Sequence, residues 1–149
     1  MKRGYFGIGI QNGKSEANLG TLWRTAHSFG ADFIFTIGER YKPQASDTTK
    51  AWLHLPLHRY ESPEHLASSL PEDASVVGVE ILQDSRPIES YNHPERAVYV
   101  LGAEDRGLSK EMVKLCKAVL VLPGTMCINV AVAGSIVMYD RLVKSARTS

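Results

Sequence analysis

Short apolar segments without a clean alternation of polar and apolar residues limit the fold of this chain most strongly. We predict six strands from them: residues 5–10, 31–38, 55–60, 75–82, 97–102 and 118–123. Nearly continuous apolar runs are typical of strands in a parallel sheet that helices cover on both faces. Because segments of helical period separate most of the strands, the sequence predicts an α/β sandwich with the sheet as its middle layer.

The segments of helical period predict four helices: residues 18–30, 62–70, 109–116 and 129–144. Asn18 is predicted as the N-terminal cap of the first helix, and Gly30 is well placed to end it. Ser109 and Asn129 are predicted to cap the third and fourth helices. No linker rich in Pro, Gly or Ser divides the sequence, so we expect one domain spanning residues 1–149.

The composition is that of an ordinary soluble globular protein. Apolar residues make up 44% of the chain and charged residues 22%, with a net charge of +1. Any nucleic acid must therefore bind through a local basic patch. The two cysteines are too few for a disulfide framework, which favours a reducing compartment. With no signal-peptide pattern and no apolar run near the roughly 20 residues of a membrane helix, we expect a cytoplasmic protein without membrane contact.

Loops that follow three of the strands are candidate sites, because ligands of parallel sheets bind beyond the carboxyl ends of the strands. One leads into the helix that carries Asn18 and Arg24, and on these residues alone a helix cap and a solvated arginine are the simpler interpretation. Another contains Gly102, Glu104 and Gly107. Its glycines would let a backbone approach a ligand, although an ordinary turn needs glycine too.

The third loop breaks an apolar run at Pro123 and Gly124 and restarts as a helix at Asn129. Cys127 lies in this loop, and such a residue is more often a small buried hydrophobe than a nucleophile. The chain has no dinucleotide-binding glycine pattern, no P-loop and no Gly-x-Ser-x-Gly. Its five histidines lack the spacing of metal ligands, so we expect no metal.

In this order, the three loops resemble the three motifs of the SpoU/TrmH family of RNA 2′-O-ribose methyltransferases, within the SPOUT superfamily. Motif one is NLGTLWRTAHSFGA (residues 18–31), motif two is VYVLGAEDRGLS (98–109), and motif three is LVLPGTMCINVAVAGSIVMYDRL (120–142). The match spans most of the chain and lacks the N-terminal RNA-binding domain of many members, so the chain resembles the minimal, stand-alone type.

The resemblance implies an α/β fold whose C-terminal segment forms a deep trefoil knot, a feature almost absent from other proteins. It also implies that this segment wraps S-adenosylmethionine (SAM). Backbone groups hold most of the cofactor in the family, which accounts for the few charged residues in the loops.

Residue by residue, the resemblance assigns nine positions. The residues matched to catalytic positions are Asn18, Arg24, Glu104 and Asn129. The residues matched to cofactor-binding positions are Val79, Gly102, Gly107, Leu122 and Cys127. Two positions depart from the family pattern, because Cys127 stands where a serine is usual and Gly124 where a methionine is frequent.

The resemblance implies methyl transfer to a ribose 2′-hydroxyl of tRNA or rRNA. Arginine is almost always protonated, so we prefer an electrostatic role for Arg24 over the family proposal that this arginine is the base. Glu104 is expected to order the motif-two loop or Arg24. Two alternatives stay open: a SPOUT-type RNA base methyltransferase, and a non-catalytic RNA-binding or assembly factor on the same fold.

Two kinds of partner are expected. The last helix has small residues at Ala131, Ala133, Gly134 and Ser135, which would let a second copy of the chain approach closely in a homodimer. In the family the motif-one arginine reaches the active site from the neighbouring chain, so the resemblance implies that Arg24 would serve the cavity of the partner. RNA phosphates would meet a few basic residues pooled over the dimer, for which the candidates are Lys2, Arg3, Lys14, Lys42, Lys50 and Arg106.

Overall fold

The computed structural model describes residues 4–42, 54–124 and 128–147. Within these ranges, seven strands make one sheet: β1 (Tyr5–Gln11), β2 (Phe33–Ile37), β3 (Leu57–Tyr60), β4 (Ser75–Val79), β5 (Arg86–Pro87), β6 (Arg96–Gly102) and β7 (Ala118–Val121). The described residues also form four α-helices: α1 (Glu16–Ser28), α2 (Pro63–Ser69), α3 (Lys110–Leu115) and α4 (Val130–Arg147). The strands run in the order β3-β2-β1-β6-β4-β7-β5, and all pairs are parallel.

Successive residues of the central strand β6 explain why helices cover both faces of the sheet. Tyr99 and Leu101 face a core that α1 and α4 complete with Leu22 and Met138. Val98 and Val100 face a second core, which α2 and α3 complete with Leu66 and Met112. The predicted α/β fold with a parallel sheet between two helical layers is therefore confirmed.

Several predicted boundaries were wrong. Ser15 caps α1 by accepting a hydrogen bond from the backbone N–H of Asn18, so Asn18 lies in the first turn and is not the cap. Three predicted strands end too late at their carboxyl side, since β2, β4 and β7 stop at Ile37, Val79 and Val121. The strand β5 was missed because Arg86–Pro87 has no apolar pattern.

The helix ends at Gly30, Ser109 and Asn129 agree with the prediction. Gly30 has φ 81°, and the next N–H bonds to the carbonyl of Ala26, which closes α1. The Ser109 hydroxyl accepts from the N–H of Met112. The Asn129 Oδ1 accepts from the N–H groups of Ala131 and Val132, at 2.9 and 3.2 Å.

Three of the four small residues of α4 pack within the chain, which contradicts the expectation that they face a partner, and only Ser135 is partly exposed. Ala131 and Ala133 are buried in the core. A Cβ on Gly134 would lie 2.5 Å from Leu22 Cδ1, so the glycine lets α1 and α4 approach each other. The exposed apolar residues of α4 form a different stripe, called here the α4 stripe: Val132, Ile136, Tyr139 and Leu142.

A buried polar network fastens the C-terminal half of α4 to residues 88–95. His93 bonds through Nδ1 to the Tyr99 hydroxyl and through Nε2 to Asp140, both at 2.7 Å. Arg141 donates to the carbonyls of Pro94 and Glu95, at 2.7 and 2.8 Å. Burial lowers the pKa of His93, although the bond to Asp140 opposes the shift.

Lys144 completes this network by donating to Asp140 and to the carbonyls of Ile88 and Tyr91, at 2.8, 2.6 and 2.8 Å. The trefoil knot stays a prediction, since the connection from β7 to α4 includes residues 125–127, outside the described ranges. No described helix combines the length and apolar character needed to cross a membrane.

Candidate active site

A cavity of about 270 Å³ lies at the carboxyl edge of the sheet, beyond the ends of β4, β6 and β7. The turn after β6, residues 103–107, forms one wall, and the start of α4 forms another. Apolar side chains make up much of the lining: Val79, Ile81, Leu101, Leu120, Leu122, Ile128 and Val130. The charged residues that line it are Glu80, Glu104, Asp105 and Arg106.

The two predicted glycines shape the turn. The N–H of Gly107 donates to the carbonyl of Ala103 at 2.7 Å, which folds the chain back on itself. A Cβ on Gly102 would overlap the backbone of Gly107 and Leu108, and Gly107 itself has φ +65°. Both positions therefore need glycine, one for close approach and one for its left-handed conformation.

Glu80 joins the end of β4 to this turn, and the sequence prediction missed it. Its Oε2 accepts from the N–H of Leu108 at 2.9 Å, and its Oε1 accepts from the N–H of Ile81 at 3.0 Å. The available signal was a single charged residue in the apolar run SVVGVEIL, which we interpreted as continuous strand. A carboxylate at the carboxyl end of a parallel strand is a candidate binding group.

Glu104, Asn129 and Asn18 meet at the start of α4. Glu104 Oε1 accepts from the N–H of Val130 at 3.2 Å, which places a negative charge at the helix N-terminus, where it is favoured. Asn129 Nδ2 donates to Asn18 Oδ1 at 3.1 Å, across 111 residues of sequence. The structure therefore joins motifs one, two and three through side-chain contacts.

The remaining predicted residues are placed differently. Val79, Gly102, Gly107 and Leu122 line the cavity, as does Glu104. Arg24 is exposed on α1, nearly two turns beyond Asn18, and is not among the residues that line the cavity. Cys127 lies outside the described residues.

An arginine outside the three motifs also reaches the turn. Arg40, after β2, donates from Nη1 and Nη2 to the two carboxylate oxygens of Asp105, at 3.0 and 2.6 Å. This bond, helped by the charges of Arg40 and Lys14, lowers the pKa of Asp105 to about 2. Asp105 therefore stays ionised at neutral pH.

The described part of the chain offers little support for other chemistries. None of its His, Cys, Asp and Glu residues cluster in groups of three that could hold a metal ion. Burial raises the pKa of Cys116 to about 11, so this thiol is protonated at neutral pH. A protonated, half-buried thiol is a poor nucleophile.

Comparison with known proteins identifies the family. The sequence profile of the SpoU rRNA Methylase family matches residues 6–139. The chain belongs to the SpoU rRNA methylase family. The predicted resemblance is thereby confirmed, and the two contacts at the start of α4 join segments that the resemblance assigns to the three SpoU motifs.

One relative of the SpoU chain is an uncharacterized tRNA/rRNA methyltransferase of Archaeoglobus fulgidus, 28% identical over 146 residues. The alignment covers 91% of this chain and 63% of the relative, so the chain spans less than two thirds of that relative's length.

Solved structures show the same fold. The A. aeolicus TrmH/SpoU tRNA modifying enzyme superposes with a TM-score of 0.82 at 20% identity, covering 99% of this chain and 78% of that one. The AdoMet-bound rRNA methyltransferase of Sinorhizobium meliloti superposes with a TM-score of 0.81 at 23% identity, covering 93% of this chain and 56% of that one.

Proposed function

We propose that this chain transfers a methyl group from SAM to a ribose 2′-hydroxyl of a tRNA or rRNA. The observation that carries the proposal is a cavity lined by residues of motifs two and three, with Asn18 of motif one bonded to Asn129 at the start of α4. Membership of the SpoU family and an AdoMet-bound structural neighbour support the choice of cofactor.

The residues around the cavity fit this cofactor. The apolar walls suit an adenine ring, and the tight turn at Gly102 and Gly107 brings backbone N–H and C=O groups close to the edge of a ligand. The carboxylates of Glu80 and Glu104 favour a cationic sulfonium, whereas the charge of Asp105 is balanced by Arg40. Val79, Leu122 and Cys127 remain proposed cofactor contacts.

The reaction needs few groups from the chain. When bound, the cofactor supplies an electrophilic methyl carbon, and its C–S bond breaks with the electron pair left on sulfur as the new O–C bond forms. Arg24 is proposed to stabilise the ribose oxygen as that oxygen gives up its proton to water. Glu104 and Asn129 hold the start of α4, and Asn18 ties α1 to it.

We further propose that the working form is a homodimer joined through the α4 stripe. Arg24 does not line its own chain's cavity, so a second chain is a suitable source of the arginine that meets the substrate. The four exposed apolar side chains of the stripe would leave water in such a dimer.

Of the six predicted RNA contacts, Lys2, Arg3 and Lys50 lie outside the described residues, and the other three lie at the same edge of the sheet as the cavity. Lys14, Lys42 and Arg106 are exposed in the loops that follow β1, β2 and β6. Such side chains can bind phosphates in a salt-dependent manner. The proposed setting is the cytosol, where RNA substrates are present.

Two measurements test this function. Calorimetry should detect SAM binding to the purified protein, and the absence of heat at millimolar SAM would refute the enzyme and leave the non-catalytic RNA-binding factor. Mass spectrometry of nucleosides from cells with and without the gene should show one 2′-O-methyl nucleoside lost. A lost base-methylated nucleoside would instead identify the SPOUT-type base methyltransferase.

A further inference from the structure

Arg40 links three loops at the carboxyl edge of the sheet. Its side chain holds both carboxylate oxygens of Asp105 and also donates from Nε to the carbonyl of Asn12 at 2.8 Å. Its backbone N–H donates to the carbonyl of Gly13 at 2.8 Å. The loop after β2 is therefore fixed both to the turn after β6 and to the loop that leads into α1.

The bonds between Arg40 and Asp105 depend on the relative orientation of the two groups, whereas the attraction between two charges depends only on their distance. A planar guanidinium that meets both oxygens of a carboxylate fixes distance and orientation together. Asn12, whose carbonyl accepts the third N–H, has φ 56°, a left-handed conformation that asparagine adopts more readily than most residues. Arg40 thus fixes the distance between the loop at Asn12 and the turn at Asp105.

Asp105 is well placed to transmit this constraint. It lines the cavity and directly follows Glu104, whose carboxylate binds the start of α4. The pair is partly exposed, with 24% of the Arg40 side chain and 41% of the Asp105 side chain accessible. Exposed ion pairs contribute little to global stability, so the main effect of this pair should be local.

We propose that Arg40 is a positioning residue of the methyl-transfer site. Through Asp105 it sets the position of the cofactor-binding turn, and through Asn12 and Gly13 it sets the start of α1, which carries Asn18 and Arg24. This inference rests on the proposed function, because the turn is taken to bind SAM.

The test compares Arg40→Ala and Asp105→Asn with Arg59→Ala. Arg59 pairs with Glu39 at 3.1 Å near the same edge of the sheet, yet neither residue lines the cavity, so this variant controls for the loss of an exposed ion pair. Calorimetry would give the Kd of SAM, and thermal unfolding would give the Tm. Hydrogen exchange would report the opening of residues 102–108 without any need for activity.

Arg40→Ala and Asp105→Asn should each weaken SAM binding about tenfold, because a displaced turn loses several backbone contacts together. The double variant should be no weaker than either single one, since both remove the same link. Exchange in residues 102–108 should rise in both, while the Tm of each stays close to that of Arg59→Ala.

A conservative variant, Arg40→Lys, distinguishes a positioning role of Arg40 from an effect of its positive charge alone. Arg40→Lys keeps the positive charge but cannot meet both oxygens of Asp105, so it should bind SAM as weakly as Arg40→Ala. If Arg40→Lys binds SAM like the wild type, or if all variants match Arg59→Ala in Kd and exchange, the positioning role is wrong. If the wild type itself fails to bind SAM, the proposed function fails, and the positioning role falls with it.

Discussion

At the scale of single residues, Asn129 combines two tasks that can be separated by a matched variant. Its side chain caps α4 and also bonds to Asn18 of motif one. Ser62 caps α2 by accepting from the N–H of His65, and neither residue lines the cavity. Each loss of a cap should destabilise the fold by about 1 kcal/mol.

Asn129→Ala and Ser62→Ala should therefore lower the free energy of unfolding by similar amounts in urea titrations. Only Asn129→Ala should also weaken SAM binding in calorimetry, because it alone loosens the junction of the three motifs. Equal Kd values for the two variants would mean that Asn129 is a helix cap and nothing more.

The environment of His93 allows the pH dependence of stability to be predicted. Its hydrogen-bond partners determine the tautomer of the neutral ring. The Asp140 carboxylate can only accept a hydrogen bond, so Nε2 carries the hydrogen, and Nδ1 accepts from the Tyr99 hydroxyl. Burial lowers the pKa of His93 in the folded protein below that of the unfolded chain. The unfolded chain therefore binds the proton more readily, and stability falls as the pH drops below about 6.5.

Urea unfolding between pH 8 and pH 5 checks this sign. The wild type should lose stability below about pH 6.5, and His93→Gln should show a smaller loss over that window, whatever its stability at pH 8. His27→Gln, which removes an exposed histidine of α1, is the matched control for the loss of a histidine. A slope unchanged in His93→Gln would contradict the assignment to His93.

At the scale of elements, the sequence predicted what depends on local pattern. Apolar runs located six of the seven strands in the described part of the chain, and cap residues located three helix ends, at Gly30, Ser109 and Asn129. The strand β5 was not predicted because it has only two residues, Arg86 and Pro87, which pair with β7. Apolar periodicity cannot be recognised in so short a segment. The cap of α1 shifted to Ser15 because serine and asparagine are comparable caps, and sequence alone did not choose between them.

Tertiary contacts explain why the prediction that the small residues of α4 face a second chain was wrong. Small residues permit close approach, but sequence does not state whether the neighbour belongs to the same chain. Gly134 meets Leu22 of α1, whereas Val132 and Tyr139 of the same helix point to solvent. Likewise, nothing local indicated that Arg40 reaches Asp105 across 65 residues, or that Glu80 holds the turn after β6.

At the scale of the whole molecule, the α4 stripe predicts association. Ile136→Glu would place a charge in the middle of the stripe, where a dimer would leave it without water or a partner. The cost of such an unpaired buried charge is about 3 kcal/mol or more, so the dissociation constant should rise at least about a hundredfold.

Light scattering across a concentration series measures this change. The wild type should show twice the 16.4 kDa mass of one chain, and Ile136→Glu should approach the mass of one. Leu82→Glu is the control, because Leu82 is 42% exposed, close to the 37% of Ile136, and lies outside α4. A wild type that stays at 16.4 kDa would refute the dimer.

A site shared between two chains makes the sharpest prediction. Arg24→Ala should reduce methyl transfer about a hundredfold, since it removes a charge that acts mainly in the transition state, and should leave SAM binding nearly intact. Gly102→Trp should abolish SAM binding, because even a Cβ there overlaps the backbone of Gly107. Each variant alone is then inactive for a different reason, and circular dichroism should show both folded.

Co-expression of these two variants with different affinity tags allows the mixed dimer to be isolated. If Arg24 serves the partner's cavity, the mixed dimer has one site with an intact arginine and an intact turn, and the other site has neither. It should regain about half the activity of a wild-type dimer. If Arg24 serves its own chain, each site of the mixed dimer lacks one component, and activity stays at the level of the single variants. A mixed dimer that forms but remains inactive would therefore restrict Arg24 to its own chain or exclude it from the reaction.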